Sequence, residues 1–414
     1  MKNKEALKLH EEMKGKLFIG ETIPLEYSNL PLLYTPGVSD PCLKIAEDAS
    51  SVYSLTWKWN SVAVISDGSR VLGLGDIGPL ASLPLLEGKG MIFSRFGGID
   101  AVPLAISQMS VEETVSVIKA IRYSFGAINL EDISIPRCFD ILDRLIEELD
   151  VPVWHDDQQG TATIIVAGLI NALEVVGKKL DSAKIILLGA GAANSSVYRL
   201  LRHAGLDAKQ FSVFDKDGML GSHRKDLMDV KVFKTICTET NPKGLNTSIE
   251  DAVSGADVII ALSKPGPNVI KPEWIKSMNK NAIVFACANP TPEIDPALAL
   301  SSGAKIVGTG RSDYPNQLNN ALVFPGMMRG ALDVKAKKIT WGMAFAVSKE
   351  IALIAKEKGL RADFIVPRLD EPDLHFRVAK ATALRAIEEG VASTTLKVTE
   401  LETLIKKHIE RTER

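Results

Sequence analysis

Apolar and polar positions follow two different periods along the chain. In Arg137–Leu149 the residues Phe139, Ile141, Leu142, Leu145, Ile146 and Leu149 recur at helical spacing with charges between them, which predicts an amphipathic helix. Val111–Phe125 reads as a second helix, and Thr161–Val176 as a third, apolar on most sides and therefore buried. From Lys184 onward the pattern changes to short apolar runs separated by helical stretches: KIILL (184–188), FSVF (211–214), ADVIIAL (256–262), AIVFACA (282–288) and AKIVG (304–308). Strands buried on both faces of a parallel sheet have this pattern. Ser61–Ser66, stopped by Asp67-Gly68, and Val151–Trp154 are further strands. The first 30 residues predict a short amphipathic helix and an irregular lead-in, and the Gly- and Pro-rich Val71–Leu86 predicts loop and turn. Beyond Thr340 the chain is helical. These expectations amount to an α/β protein in three parts, 1–158, 159–340 and 341–414, with the main boundary near residues 155–160.

Composition narrows the class. At about 150 residues per domain, 414 residues make two or three domains with ample core. Lys and Arg number 49 against 51 Asp and Glu, so no basic field points to nucleic acid or an anionic membrane. No apolar run reaches the roughly 18 to 20 residues that span a bilayer. The charged N-terminus has no secretory h-region. Cys42, Cys138, Cys237 and Cys287 are far apart and form no CxxC, which fits a reducing cytoplasm and not a thiolate zinc site. The expectation is a soluble cytoplasmic enzyme.

Two glycine-rich segments compete for a dinucleotide. Gly73-Leu-Gly-Asp-Ile-Gly78 matches GxGxxG, but Pro79 and Pro84 interrupt the helix that should follow it. Gly189-Ala-Gly-Ala-Ala-Asn194 lacks the third glycine, yet KIILL feeds into it and a helical stretch follows. Gly189 permits the tight turn, Gly191 lets backbone approach a pyrophosphate, and the helix N-terminus through Ala192 and Ala193 favours the negative charge. Asn194 stands where a glycine would allow close packing, which predicts a slightly looser turn. Asp215 closes FSVF at the distance expected of the acid that binds the adenosine ribose, which favours NAD. Lys216 beside it leaves NADP open. Acidic pairs end two apolar segments: Glu131-Asp132 after AINL and Asp156-Asp157 after VPVW. Carboxylates converging at strand ends suit a hard divalent cation, Mg²⁺ or Mn²⁺. His155 has no second His at ligand spacing and reads as a core or supporting residue.

Taken together, these segments resemble the malic enzymes, the NAD(P)- and metal-dependent decarboxylating malate dehydrogenases, in their short prokaryotic form. The landmarks run in order over nearly the whole chain: Tyr34-Thr-Pro-Gly-Val38, DGSRVLGLGDIG (67–78), EGKGMIF (87–93), Gly98-Ile-Asp-Ala-Val-Pro103, Asn129-Leu-Glu-Asp132, HDDQQGTA (155–162), GAGAAN (189–194), Ala288-Asn-Pro-Thr-Pro-Glu293 and YPNQLNNALVFPG (314–326). Gln159 and Asn194 stand where prokaryotic members often carry His and usually carry Gly.

The resemblance implies a substrate and metal domain followed by a Rossmann-type domain, and it places GLGDIG in the former. It also implies roles: Tyr34 as general acid, Lys89 as general base, and Glu131, Asp132 and Asp157 as metal ligands. Arg70 would hold a malate carboxylate, and Asn289 and Asn319 would hold substrate, with Asn289 also at the cofactor. From the residues alone, Lys89 reads rather as a surface lysine between glycines, Tyr34 as a core aromatic, Arg70 as an exposed turn residue, and Asn289 and Asn319 as turn formers. Burial beside a divalent cation would favour a neutral Lys89 able to act as a base. The implied reaction is oxidative decarboxylation of malate to pyruvate and CO₂, in a homo-oligomer and most simply a dimer. A malolactic decarboxylase that recycles its NAD internally and a catalytically idle dinucleotide sensor are the alternatives.

Overall fold

Two sheets of almost entirely parallel strands organise the chain. The computed structural model describes residues 2–13, 15–71 and 73–413. Met1, Lys14, Leu72 and Arg414 lie outside the described residues, as do the parts of the N-terminal, Val71–Leu86 and C-terminal expectations that fall on them. The first sheet has the order β2-β1-β3-β4, with β1 Ser61–Ser66, β2 Asp100–Ala105, β3 Ala127–Leu130 and β4 Val153–His155, all parallel. The second has the order β10-β9-β8-β5-β6-β7. Its strands are β5 Ile185–Leu188, β6 Phe211–Asp215, β7 Gly218–Met219, β8 Val258–Ala261, β9 Ala282–Ala286 and β10 Ala304–Thr309. Among the described residues, β7 is the one strand of this sheet that runs antiparallel to its neighbour. In each sheet the chain order reverses beside the first strand, β1 or β5. Crevices at the carboxyl ends of parallel strands open at such reversals.

The apolar runs are uniform because both faces of these strands are covered. Ile185 and Leu187 point into the main core, while Ile186 and Leu188 point into a second cluster with Ile259, Val284 and Trp274. The helix Thr161–Val175 is buried along nearly its whole length. Its Asn171 Nδ2 donates to Ala352 O and Ile365 O at 2.9 and 2.8 Å, and Ser348 Oγ donates to Thr163 O at 2.8 Å. These bonds fasten the C-terminal helix Trp341–Glu357 to the middle of the molecule. Two more helices follow, Leu374–Glu388 and Val398–Ile409.

The structure corrects several expectations. The Val71–Leu86 loop ends early, because a 20-residue helix runs over Gly78–Gly97 despite its prolines. Pro79 sits in its first turn, where a missing N–H costs nothing. Pro84 is internal, and the buried stripe Ser82, Leu86, Lys89, Phe93 and Gly97 supplies packing that offsets it. The helix at 111 stops at Ile121 and tightens into a 3₁₀ turn over Arg122–Ser124. No helix among the described residues is long and apolar enough to cross a membrane.

Candidate active site

The carboxyl ends of β1, β3 and β4 meet at one edge of the first sheet. β3 delivers Glu131 and Asp132, and β4 delivers Asp156 and Asp157 through a π-helical turn, Asp156–Gly160, that runs into the helix at Thr161. Single-turn π segments of this kind often mark functional positions. Gly160 is required there, since a Cβ would lie 1.9 Å from Asp156 Oδ1. Asp132 has φ +54°, a left-handed conformation costly for a non-glycine residue and characteristic of sites where placement matters. Its backbone N–H donates to Asp157 Oδ2 at 2.8 Å. Glu131, Asp132 and Asp157 each bring a carboxylate oxygen within 4.8 Å of the other two.

Lys89 enters from the buried stripe of the helix Gly78–Gly97 and is only 8 % exposed, so it is not a surface lysine. Its Nζ lies 2.5 Å from Asp156 Oδ2 and 2.9 Å from Glu131 Oε1, and 4.4 Å from the centre of the Phe324 ring. Trp154 Nε1 donates to the other oxygen of Asp156 at 3.1 Å. Burial works to lower the Lys89 pKa, as expected, but Asp156 and Glu131 outweigh it and hold the ammonium above its ordinary range. Burial pushes Glu131 up, with Asp157, Asp156 and Asp132 adding to it against Lys89. Asp157 is also raised by burial, against the pull of Lys89, the Asp132 N–H and Arg70. Burial lowers His155 to about 3, so it lies neutral behind the carboxylates.

This donor set fits a hard divalent cation. Four carboxylates crowd two cations, Lys89 and Arg70, in a partly dehydrated pocket, and every candidate ligand atom is oxygen. Arg70 is exposed, and its backbone N–H donates to Asp132 O at 3.1 Å, which ties the β1 loop to the cluster.

Asn289 and Asn319, the two asparagines expected to hold substrate, come together. They line a cavity of about 600 Å³ with Gly73, Leu74, Pro290 and Arg311. A Cβ on Gly73 would lie 2.3 Å from Asn289 O, so the GLGDIG loop presses on the Asn289–Pro290 turn rather than cradling a pyrophosphate. Asn319 also accepts from Ala321 N at 2.9 Å.

At the second sheet, Gly189 has φ +96° and a Cβ there would lie 2.7 Å from Leu262 O, whereas Gly191 faces open space. The helix Ala192–His203 begins at once, with no side-chain cap bond at Gly191. Asn194 does not loosen this turn. Fully buried, its Nδ2 lies within hydrogen-bond range of Leu188 O, Gly189 O and Ile260 O at 3.0, 2.9 and 3.2 Å, so the amide pins the loop where a glycine would leave space. Asp215, at the end of β6, lines a cavity of about 740 Å³ with Lys216, Leu188, Lys264 and Trp274.

Tyr34 is the exception. It is 66 % exposed, and among the described residues its side chain makes no hydrogen bond or ring contact. Sequence reasoning missed three residues that the geometry brings forward: Asp156 as the partner of Lys89, Arg224 as the partner of Asp215, and Glu293. Glu293 accepts from Ser263 N, Ser263 Oγ and Ala288 N at 2.9, 3.1 and 2.9 Å, joining the loops that follow β8 and β9. Its place in the ANPTPE segment was the available signal.

Comparison with known proteins defines the class. Residues 158–387 match the family profile "Malic enzyme, NAD binding domain", and residues 21–146 match "Malic enzyme, N-terminal domain". The chain belongs to the malic enzyme family. It is 46 % identical to a protein named NAD-dependent malic enzyme from Geobacillus stearothermophilus, over 91 % of this chain and 78 % of that one. It is 44 % identical to a bifunctional malic/malolactic enzyme from Bacillus subtilis, over 95 % of each chain. Among solved structures, malic enzyme from Pyrococcus horikoshii superposes with a TM-score of 0.94 at 45 % identity, covering 100 % of this chain and 97 % of that one.

Proposed function

We infer that the protein catalyses oxidative decarboxylation of malate to pyruvate and CO₂ with reduction of NAD(P). The observation that carries the reading is the buried cluster in which Lys89 meets Asp156 and Glu131 beside Asp132 and Asp157. We take residues 1–158 as the substrate and metal domain, 159–340 as the dinucleotide domain and 341–414 as a helical buttress. Glu131, Asp132 and Asp157 would hold Mg²⁺ or Mn²⁺, which when bound polarises the C2 oxygen and stabilises the charge left by CO₂ loss. The turn Gly189–Asn194 would receive the pyrophosphate, and Asp215 the adenosine ribose.

Arg70, Asn289 and Asn319 hold the malate carboxylates and fix C2 toward the nicotinamide. The Lys89 ammonium passes a proton to Asp156 Oδ2, 2.5 Å away, and the neutral amine so formed takes the C2 hydroxyl proton; a bound nicotinamide would supply the acceptor for the C2 hydride. Tyr34 protonates C3 of the enol after CO₂ departs. One proton taken and one given leaves no net proton, so malate and NAD(P)⁺ become pyruvate, CO₂ and NAD(P)H.

Tyr34 belongs to a segment that needs a cover. Helices Leu30–Leu33 and Ser39–Glu47 bury none of their own residues, and Leu32, Tyr34 and Leu43 are 75, 66 and 63 % exposed. An apolar surface of this kind supports a homodimer in which this segment packs on the second copy and brings Tyr34 to the partner's site. Four free cysteines support a reducing, cytoplasmic setting.

Malate supplied with Mn²⁺ and NAD or NADP should yield reduced nicotinamide. Absence of turnover with either cofactor would contradict the reading and favour an idle dinucleotide sensor. A malolactic reaction is the second reading, supported by the relative from Bacillus subtilis whose name includes that activity.

A further inference from the structure

The chain leaves β1 through a turn, Asp67-Gly68-Ser69-Arg70, that is tied on three sides. Asp67 is buried, and its Oδ1 accepts from Ser69 N at 3.0 Å and from Ser69 Oγ at 2.5 Å, the bonds of an Asx turn. Arg137 Nη2 donates to its other oxygen from behind. The Ser69 hydroxyl, with its proton committed to Asp67, accepts from Ser134 N at 2.9 Å. Ser134 belongs to the loop that follows β3 and carries Asp132, and Arg70 N donates to Asp132 O at 3.1 Å. Two bonds therefore join the β1 and β3 loops, one through the Ser69 side chain and one through the Arg70 backbone. The turn also receives the head of the helix that carries Lys89, since Gly68 O accepts from Ile77 N and Gly78 N at 3.2 and 3.1 Å.

Arg70 is exposed, so packing does little to fix its side chain, and its reach toward the carboxylates is set by the backbone that carries it. Ser69 is buried, so loss of its hydroxyl would leave the Ser134 N–H without its partner and release one of the two ties. We propose that Ser69 is a positioning residue for malate: by donating to Asp67 and accepting from Ser134, its hydroxyl holds Arg70 where the guanidinium meets a substrate carboxylate beside Glu131, Asp132 and Asp157. The inference rests on the reading of this site as a malate site. Without the hydroxyl the turn samples positions in which Arg70 is out of reach, and affinity falls by the fraction of time lost. Arg70 grips the carboxylate equally in the ground state and the transition state, so the loss falls on KM. Lys89 keeps its own bonds to Asp156 and Glu131, which spares kcat.

Steady-state kinetics of malate oxidation, with calorimetric titration of Mn²⁺ alongside, test the proposal. Ser69→Ala should raise the KM for malate about 10-fold and leave kcat, the KM for the dinucleotide and the Kd for Mn²⁺ within ~3-fold of wild type. Asp67→Asn, which sets an amide against Arg137 and loosens the turn from behind, should move the KM for malate in the same direction. It keeps the test open if Ser69→Ala fails to fold. In an Arg70→Gln background Ser69→Ala should change kcat/KM for malate by less than ~2-fold, because the group it positions is gone; a purely structural role would add its full cost. An unmoved KM for malate, a loss confined to kcat, weakened Mn²⁺ binding or full additivity with Arg70→Gln would each overturn the role of Ser69 while the wild type still oxidises malate. A wild type that oxidises no malate would overturn the malate reading itself.

Discussion

Lys89 Nζ lies 2.5 Å from Asp156 Oδ2, on an aspartate that the chain holds fully buried and that stands next to a candidate metal ligand, Asp157. The pair is a ready proton relay. Lys89→Ala should lower malate oxidation on the order of 10²–10⁴-fold, the usual worth of a positioned base. Decarboxylation of added oxaloacetate should survive, since that step needs no alcohol deprotonation. Asp156→Asn should impair oxidation in the same direction but less, because the lysine remains. Steady-state rates with the two substrates check this. Near-normal malate oxidation by Lys89→Ala would move the base to Asp156.

Chelation should abolish turnover, and Mg²⁺ or Mn²⁺ should restore it, because the donor set is all oxygen. Asp157→Asn should weaken Mn²⁺ binding, read by titration of the metal, while the far-ultraviolet circular dichroism stays that of the wild type. Full activity after exhaustive chelation would exclude a metal from the reaction.

If Tyr34 serves the partner's site, subunits carrying Tyr34→Phe and subunits carrying Lys89→Ala should complement one another. A hybrid dimer then holds one site with both substitutions and one with neither. After dissociation and random reassociation at equal amounts, activity should recover to about a quarter of wild type. No recovery would place Tyr34 and Lys89 of one chain in the same site.

Burial lowers His375 to about 3 from 6.5, and among the described residues neither ring nitrogen has a hydrogen-bond partner. The unfolded imidazole takes a proton below about 6.5 and the folded one only near 3, so stability falls as pH drops through that window. His375→Leu should remove about 2 kcal/mol of the stability lost between pH 7 and pH 5, read from urea unfolding at the two values. An unchanged pH dependence would show that the site is already open to water.

Much of this architecture was legible in the chain, for physical reasons that also explain what was not. The five apolar runs from Lys184 mark strands because both their faces are covered, so no alternation was needed to find them. Glu131-Asp132 and Asp156-Asp157 were visible because each follows an apolar segment, and parallel strands bring such ends to one edge. Lys89 was legible only through the resemblance, and its burial was not, because Pro79 and Pro84 masked the helix whose buried stripe carries it. Arg224 left no pattern at all: it reaches back to Asp215 from nine positions further along the chain, past β7, a contact fixed only by the folded backbone. The exposure of Tyr34 likewise belongs to tertiary structure, since an aromatic two residues before a proline reads the same whether it fills a core or waits for a second chain.

Product stoichiometry decides whether the buried Lys89 cluster performs a net oxidation. Malate, Mn²⁺ and NAD or NADP are supplied to the purified protein, and NAD(P)H, pyruvate and lactate are measured in the same reaction. Oxidative decarboxylation requires equal amounts of NAD(P)H and pyruvate, no lactate, and loss of both products on chelation. Lactate formed without net NAD(P)H would contradict it and make the protein a malolactic decarboxylase.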